Sequence, residues 1–136
     1  TASMKTAFLG LGVMGFPMAG HLKKGGHEVT VYNRTAAKAQ KWVETHGGKA
    51  AATPAEAAKG AEIVFACVGN DDDLRSIVLG GEGAFAGMAK GAIFVDHTTA
   101  SANVARELGG VAMGKGLHFI NPNAKASCGC GSSFTV

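Results

Sequence analysis

Gly10-Leu11-Gly12-Val13-Met14-Gly15 places glycine at the first, third and sixth positions of a short run. At that spacing the first glycine permits a tight turn. The second lets the backbone approach a ligand, and the third lets a following helix pack closely on the preceding strand. The chemistry such a turn supports is recognition of a pyrophosphate, because the free N–H groups and dipole of a helix that begins there face the phosphates. A glycine-rich turn with no ligand would show the same three residues. The pattern becomes specific only when a strand leads in, a helix leads out and a second strand follows soon after.

A second group of residues bears on which dinucleotide would bind. Roughly twenty residues beyond such a turn, an acid at the end of the second strand would bind a ribose 2′-hydroxyl. Here the chain reads Tyr32-Asn33-Arg34-Thr35, with no acid at the strand end. Arg34 can pair with a 2′-phosphate and stack on adenine, Thr35 can add a hydroxyl contact, and Lys38 a nearby charge. The competing reading leaves Arg34 as a solvated loop residue. On this pattern NADP(H) is favoured over NAD(H).

These residues need elements to hold them. Lys5 to Leu9 reads as a strand, and Val13 to Lys24 has helical apolar spacing that ends at Gly25-Gly26. His27 to Tyr32 alternates and is β-branched, a second strand. Thr35 is a plausible N-cap for a helix to His46, and a weaker strand lies at Lys49 to Ala51. Thr53-Pro54 reads as N-cap and first helical position, with Glu56 placed as in a capping box. Glu62 to Val68 is a continuous apolar run, the form of a strand covered on both faces. Asp71 to Leu79 starts with three acids, which suits a helix N-terminus. A helical turn near Phe85, a strand at Ala92 to Val95, a helix from a Ser101 cap to about Lys115 and a strand at Leu117 to Ile120 complete the pattern. Alternating strands and helices with glycine-rich links predict an α/β fold of the Rossmann type, three-layered, with a mainly parallel sheet.

The bulk properties agree with one domain. The chain has 136 residues, 46% hydrophobic and 17% charged, enough for a core and too apolar for disorder throughout. A net charge of +3 with dispersed lysines and arginines argues against a nucleic-acid partner. No run is long enough to span a bilayer, so a cytoplasmic protein is the expectation. Residues 1 to 3 read as a remnant ahead of a start at Met4. Cys67 sits in an apolar run as a small core residue. Cys128-x-Cys130 offers two thiols and no matching pair, short of a zinc site.

Three segments together, Phe8–Leu22 (FLGLGVMGFPMAGHL), the VYNRT stretch ending at Thr35, and Phe94–Ser101 (FVDHTTAS), resemble the β-hydroxyacid dehydrogenase family. That family includes 3-hydroxyisobutyrate dehydrogenases, semialdehyde reductases, imine reductases and 6-phosphogluconate dehydrogenase-like proteins, and the likeness runs from about Met4 to Ile120. The resemblance implies that Met14 contacts the cofactor after the phosphate turn. It places Val68 and Gly69 along the nicotinamide ribose, with Asp73 a further candidate, and Thr99 beside the nicotinamide, with Thr98 standing where the family has Ser. Thr98 and Thr99 could equally cap a helix, and Asp71 to Asp73 could be a solvated helix start. His97 adjoins the candidate site, but a lone histidine there is more often structural than catalytic.

The chain departs from the family after Ile120. A motif like Asp-Ala-Pro-Val-Ser-Gly-Gly, which holds the substrate carboxylate, is replaced by Asn121-Pro122-Asn123-Ala124-Lys125-Ala126-Ser127. The family's catalytic lysine lies on a further, all-helical domain that also builds the dimer. The resemblance therefore implies a cofactor-binding domain over 4–120, an atypical tail over 121–136 expected to be disordered, and no catalytic residue in this chain. Three functions follow as expectations: the cofactor half of an NADP(H)-dependent oxidoreductase acting on CH–OH groups, not competent alone; a non-catalytic NADP(H)-binding module; or a functionless truncated product. Loss of a packing domain would bare an apolar edge and favour a homodimer through it.

Overall fold

The computed structural model describes residues 4–11, 15–68, 70–97 and 102–121. Its framework is six strands: β1 (Lys5–Leu9), β2 (Glu28–Tyr32), β3 (Lys49–Ala50), β4 (Ile63–Ala66), β5 (Ile93–Asp96) and β6 (His118–Ile120). They form one sheet in the order β3-β2-β1-β4-β5-β6, with every pairing parallel. Parallel neighbours need crossover connections, and six helices supply them: α1 (Gly15–Lys24), α2 (Ala36–His46), α3 (Pro54–Ala58), α4 (Asp71–Val78), α5 (Ala84–Gly87) and α6 (Ala102–Gly114). This is the expected α/β Rossmann-type fold. The strand order reverses direction between β1 and β4, and such a switch point opens a crevice at the carboxyl ends of the strands.

From Thr6 to Leu9, β1 is buried on both faces, and β4 and β5 alternate buried with half-buried residues, which is why their sequences run apolar. Two separate cores result. Beneath α1 and α2, Phe8, Leu11, Ala19, Val31 and Trp42 pack together. Trp42 is fully buried, and its indole N–H donates to the Phe16 carbonyl at 3.2 Å, tying α2 to α1. The opposite face holds a larger cluster with Val64, Leu74, Phe94, Val104 and Leu108 at its centre. Among the described residues Met113 is the one large hydrophobic side chain left exposed. No described helix is long and apolar enough to cross a membrane.

Local signals explain the element boundaries. Thr53 accepts from the Glu56 N–H at 3.1 Å with Pro54 in the first turn, as the capping pattern predicts. At the start of α2 the outcome differs: Thr35 occupies the N-cap position, but its hydroxyl makes no capping bond. Asn70, not singled out from sequence, caps α4 by accepting from the Asp73 N–H at 2.9 Å. Ser101 lies outside the described residues.

Candidate dinucleotide site at the carboxyl edge of the sheet

Strand register decides which residues meet. Leu9 pairs with Tyr32 on one side and Ala66 on the other, and Ala66 pairs with Asp96. The residues that follow, Gly10, Asn33, Cys67 and His97, therefore share one edge of the sheet. Backbone bonds lace that edge together: the Gly10 N–H donates to Tyr32 O at 2.8 Å, Cys67 N–H to Leu9 O at 2.9 Å, and His97 N–H to Ala66 O at 2.8 Å.

The described part of the glycine motif has the geometry its spacing requires. Gly10 has φ of 92°, a region that disfavours any side chain, and a Cβ there would overlap the Cys67 carbonyl and stand 2.8 Å from Val68 Cγ1. A Cβ on Gly15 would overlap the Gly10 carbonyl and lie 3.2 Å from the Phe8 ring. The first and last glycines of the motif therefore pack on one another, which brings the start of α1 down onto the end of β1. Leu11 is fully buried, and its N–H donates to Asn33 Oδ1 at 2.8 Å. Asn33 in turn donates through Nδ2 to the Thr35 carbonyl at 3.1 Å. One side chain thus joins the glycine turn to the loop after β2, a role the residue pattern alone did not disclose. Gly12, Val13 and Met14 lie outside the described residues.

Arg34 stands beyond the end of β2 with its side chain 70% exposed, and it forms an ion pair with Asp73, whose side chain is 28% exposed. Lys38 is exposed in the first turn of α2. Beside Arg34 lies a cleft of about 430 Å³, lined by Tyr32, Arg34, Thr53, Pro54, Ile77 and Glu82 among others. Its size falls in the range of small-ligand sites. Its lining mixes apolar side chains with the Arg34 guanidinium and the Glu82 carboxylate.

The other half of the edge is more closed. Val68 is half-buried against the larger core. The Cys67 thiol packs against the α1–α2 core, and burial, assisted by the charge of Asp96, holds its pKa above the ordinary thiol value. His97 stacks on Phe65 with ring centroids 5.9 Å apart. Asp96 is fully buried and accepts from Asn121 Nδ2 at 3.1 Å, so the ends of β5 and β6 are joined by side chains. Gly69, Thr98 and Thr99 lie outside the described residues, as do Cys128 and Cys130. Among the described residues no group of three or more metal-ligating side chains converges.

Of the residues anticipated for cofactor contact, the structure brings Gly10, Leu11, Gly15, Asn33, Arg34, Thr35 and Lys38 to the end of β1 and β2. Val68 follows the end of β4. Asp73 was grouped with the residues lining the nicotinamide ribose, and it is found paired with Arg34. It starts α4, which packs on the larger core face, and the pair therefore bridges the end of β2 and α4 across β1.

Comparison with known proteins fits this architecture. The chain belongs to the family of the NAD binding domain of 6-phosphogluconate dehydrogenase, whose model matches residues 5–122. An uncharacterized oxidoreductase of Shewanella frigidimarina is 71% identical over 104 residues, covering 76% of this chain and 36% of that protein. The structure of Mycobacterium tuberculosis 3-hydroxyisobutyrate dehydrogenase with L-serine superposes with a TM-score of 0.79 at 27% identity, over 88% of this chain and 40% of that one. A reductive aminase from Aspergillus terreus, solved in complex with NADPH4, cyclohexanone and allyl amine, gives a TM-score of 0.70 at 30% identity, over 87% of this chain and 40% of that one. The chain thus spans 36 to 40% of the length of these proteins. It is an NAD-binding domain like those of hydroxyacid dehydrogenase-like oxidoreductases, and its cofactor class is a nicotinamide dinucleotide.

Proposed function

We propose that this chain is the NADP(H)-binding part of an oxidoreductase of the hydroxyacid dehydrogenase or semialdehyde reductase class, and that it does not complete a catalytic cycle alone. The observation that carries the cofactor preference is Arg34. It is exposed beside the cleft at the end of β2, where an NAD site would hold an acid. Asn33 does not take the acid's place, because its Oδ1 is engaged by the Leu11 N–H. Within this reading, Gly10 and Gly15 admit the close backbone approach that a pyrophosphate needs, and Arg34 supplies charge for a 2′-phosphate. A bound nicotinamide would supply the hydride chemistry, and the chain's part is to position it. Gly12, Val13, Met14, Gly69 and Thr99 enter the same reading as further contacts to the dinucleotide.

Calorimetric titration of the chain with NADPH and with NADH tests this. NADPH should bind the more tightly, and Arg34→Gln should weaken NADPH by roughly 10- to 100-fold, the size of a lost charge-assisted contact, while leaving NADH within about threefold. Tighter binding of NADH by the unaltered chain would overturn the assignment of Arg34.

A further inference from the structure

Arg34 is already engaged. Its Nη2 donates to Asp73 Oδ1, and among the described residues its remaining guanidinium donors have no acceptor. Asp73 is the fixed member of the pair. It lies in the first turn of α4, where the helix dipole favours negative charge. Its N–H is bound by Asn70 Oδ1 at 2.9 Å, and its Oδ2 lies 3.3 Å from Asn70 Nδ2. Asn70 therefore holds both the backbone and the carboxylate of Asp73, and the more exposed Arg34 reaches over the end of β1 to meet it. The cleft beside Arg34 is lined from the end of β2 and from α4, with Tyr32 and Arg34 contributed by the first and Ser76 and Ile77 by the second.

We propose that Asp73 is a specificity-determining residue, which lowers the discrimination of this site in favour of a 2′-phosphate by occupying Arg34 with a competing carboxylate. The inference rests on the reading of Arg34 given above. A phosphate arriving at this guanidinium shares it with a carboxylate already bound, and it feels that carboxylate as a like charge at close range. An opposing effect is that Asp73 orients Arg34. Orientation by an ion pair this exposed is weak, because solvent screens the attraction and holding a long side chain costs entropy. Repulsion of a phosphate carrying close to two charges outweighs it. The pair is neutral as a unit, so it adds little to the salt dependence of the unaltered site. Arg34 alone carries a net positive charge and adds more.

The test uses the full chain, with 2′,5′-ADP and 5′-AMP as probes of the adenosine half, titrated calorimetrically at low and physiological salt. Asp73→Asn keeps the side-chain volume and the backbone N–H that Asn70 binds. It should tighten 2′,5′-ADP by roughly three- to tenfold at low salt, steepen its salt dependence, and leave 5′-AMP within about twofold. In an Arg34→Gln background the same substitution should change neither probe by more than about twofold. Weaker binding of 2′,5′-ADP by Asp73→Asn would overturn the proposal and make Asp73 a plain positioning residue. An equal change for both probes, or a gain that persists without Arg34, would overturn it as well. If Arg34→Gln alone leaves the preference for 2′,5′-ADP unchanged, it is the reading of Arg34 that fails. Thermal melting of each variant separates these results from loss of folding.

Discussion

On the β1–β2 side of the carboxyl edge, backbone geometry does most of the fixing: a left-handed glycine, two glycines in mutual contact, and one asparagine joining two loops. On the β4–β6 side, side chains do it: a ring stack between Phe65 and His97, a half-buried thiol, and a buried Asp96–Asn121 hydrogen bond. The first arrangement leaves an exposed cation beside a cleft, while the second joins the ends of neighbouring strands through hydrogen-bonded and stacked side chains. Within the proposed function, the first half takes the adenosine phosphate, and the second, where Val68, Gly69 and Thr99 would meet the nicotinamide, is joined by side chains. Substitutions on the first side should then read out mainly in binding of the adenosine half, and at Asp96 and Asn121 mainly in stability.

The exception with the largest expected effect is Gly15→Ala, which should damage both. The added Cβ meets the backbone carbonyl of Gly10, whose amide is itself held by the Tyr32 carbonyl at 2.8 Å. Neither contact is with a flexible side chain, so the start of α1 must lift off the sheet. A cost on the order of 3 kcal/mol is expected, together with loss of detectable NADPH binding. Chemical denaturation and calorimetry check the two parts. A variant of unaltered stability would mean that the glycine turn is looser than its geometry shows.

Asn121→Ala comes next and lies wholly on the other side. It removes a donor to the fully buried Asp96. Hydrogen bonds to groups of this kind contribute about 2 kcal/mol, and that loss should appear in denaturant midpoints. Affinity for 2′,5′-ADP should stay within about twofold, since the substitution lies across the sheet from Arg34. Impaired fragment binding would break the proposed division between the halves.

Asn33→Ala sharpens the same division from the opposite direction. Its stability cost should be smaller, about 1 kcal/mol, because the Leu11 N–H it leaves without its acceptor is only partly buried. Its effect on binding should be the larger one. Without Asn33 the loop carrying Arg34 loses its tie to the glycine turn, and affinity for NADPH should fall roughly tenfold. If stability and affinity changed in the same proportion for Asn33→Ala and Asn121→Ala, the two halves would not differ as described.

How much of this was legible in advance depends on the range of the interaction. Apolar runs, alternation and glycine stops marked each strand to within a residue or two, because burial of one or both faces leaves a local imprint. Thr53 with Pro54 and Glu56 was equally local and equally readable. Asn70 was missed although an asparagine immediately before three acids is itself an N-cap signal. The reading of Thr35 as a cap went no further than its position, since its hydroxyl makes no capping bond and Asn33 holds that loop instead. Asp73 was the hardest to place. It meets Arg34 across 39 residues of chain, and that meeting depends on β1 lying between β2 and β4. Strand order is a global outcome, so no window of sequence contains it.

The smallest effect expected concerns Cys67 at the closed half. With Cys128→Ser and Cys130→Ser removing the other thiols, Cys67 should react with a disulfide reagent roughly tenfold more slowly than a free cysteine at pH 8. Its rate should keep climbing past the pH at which a free thiol levels off, because burial and then the nearby Asp96 charge raise its pKa. The linked stability has a definite sign. A thiol whose pKa is raised by folding binds its proton more tightly in the folded state, so its contribution is intact below the unfolded pKa and is lost as pH rises through the folded one. The loss should therefore fall on the alkaline side, starting near the ordinary thiol range and complete only above it. A Cys67 that reacts like a free thiol at neutral pH would show the end of β4 to be open, and the two halves of the edge would then be equally accessible.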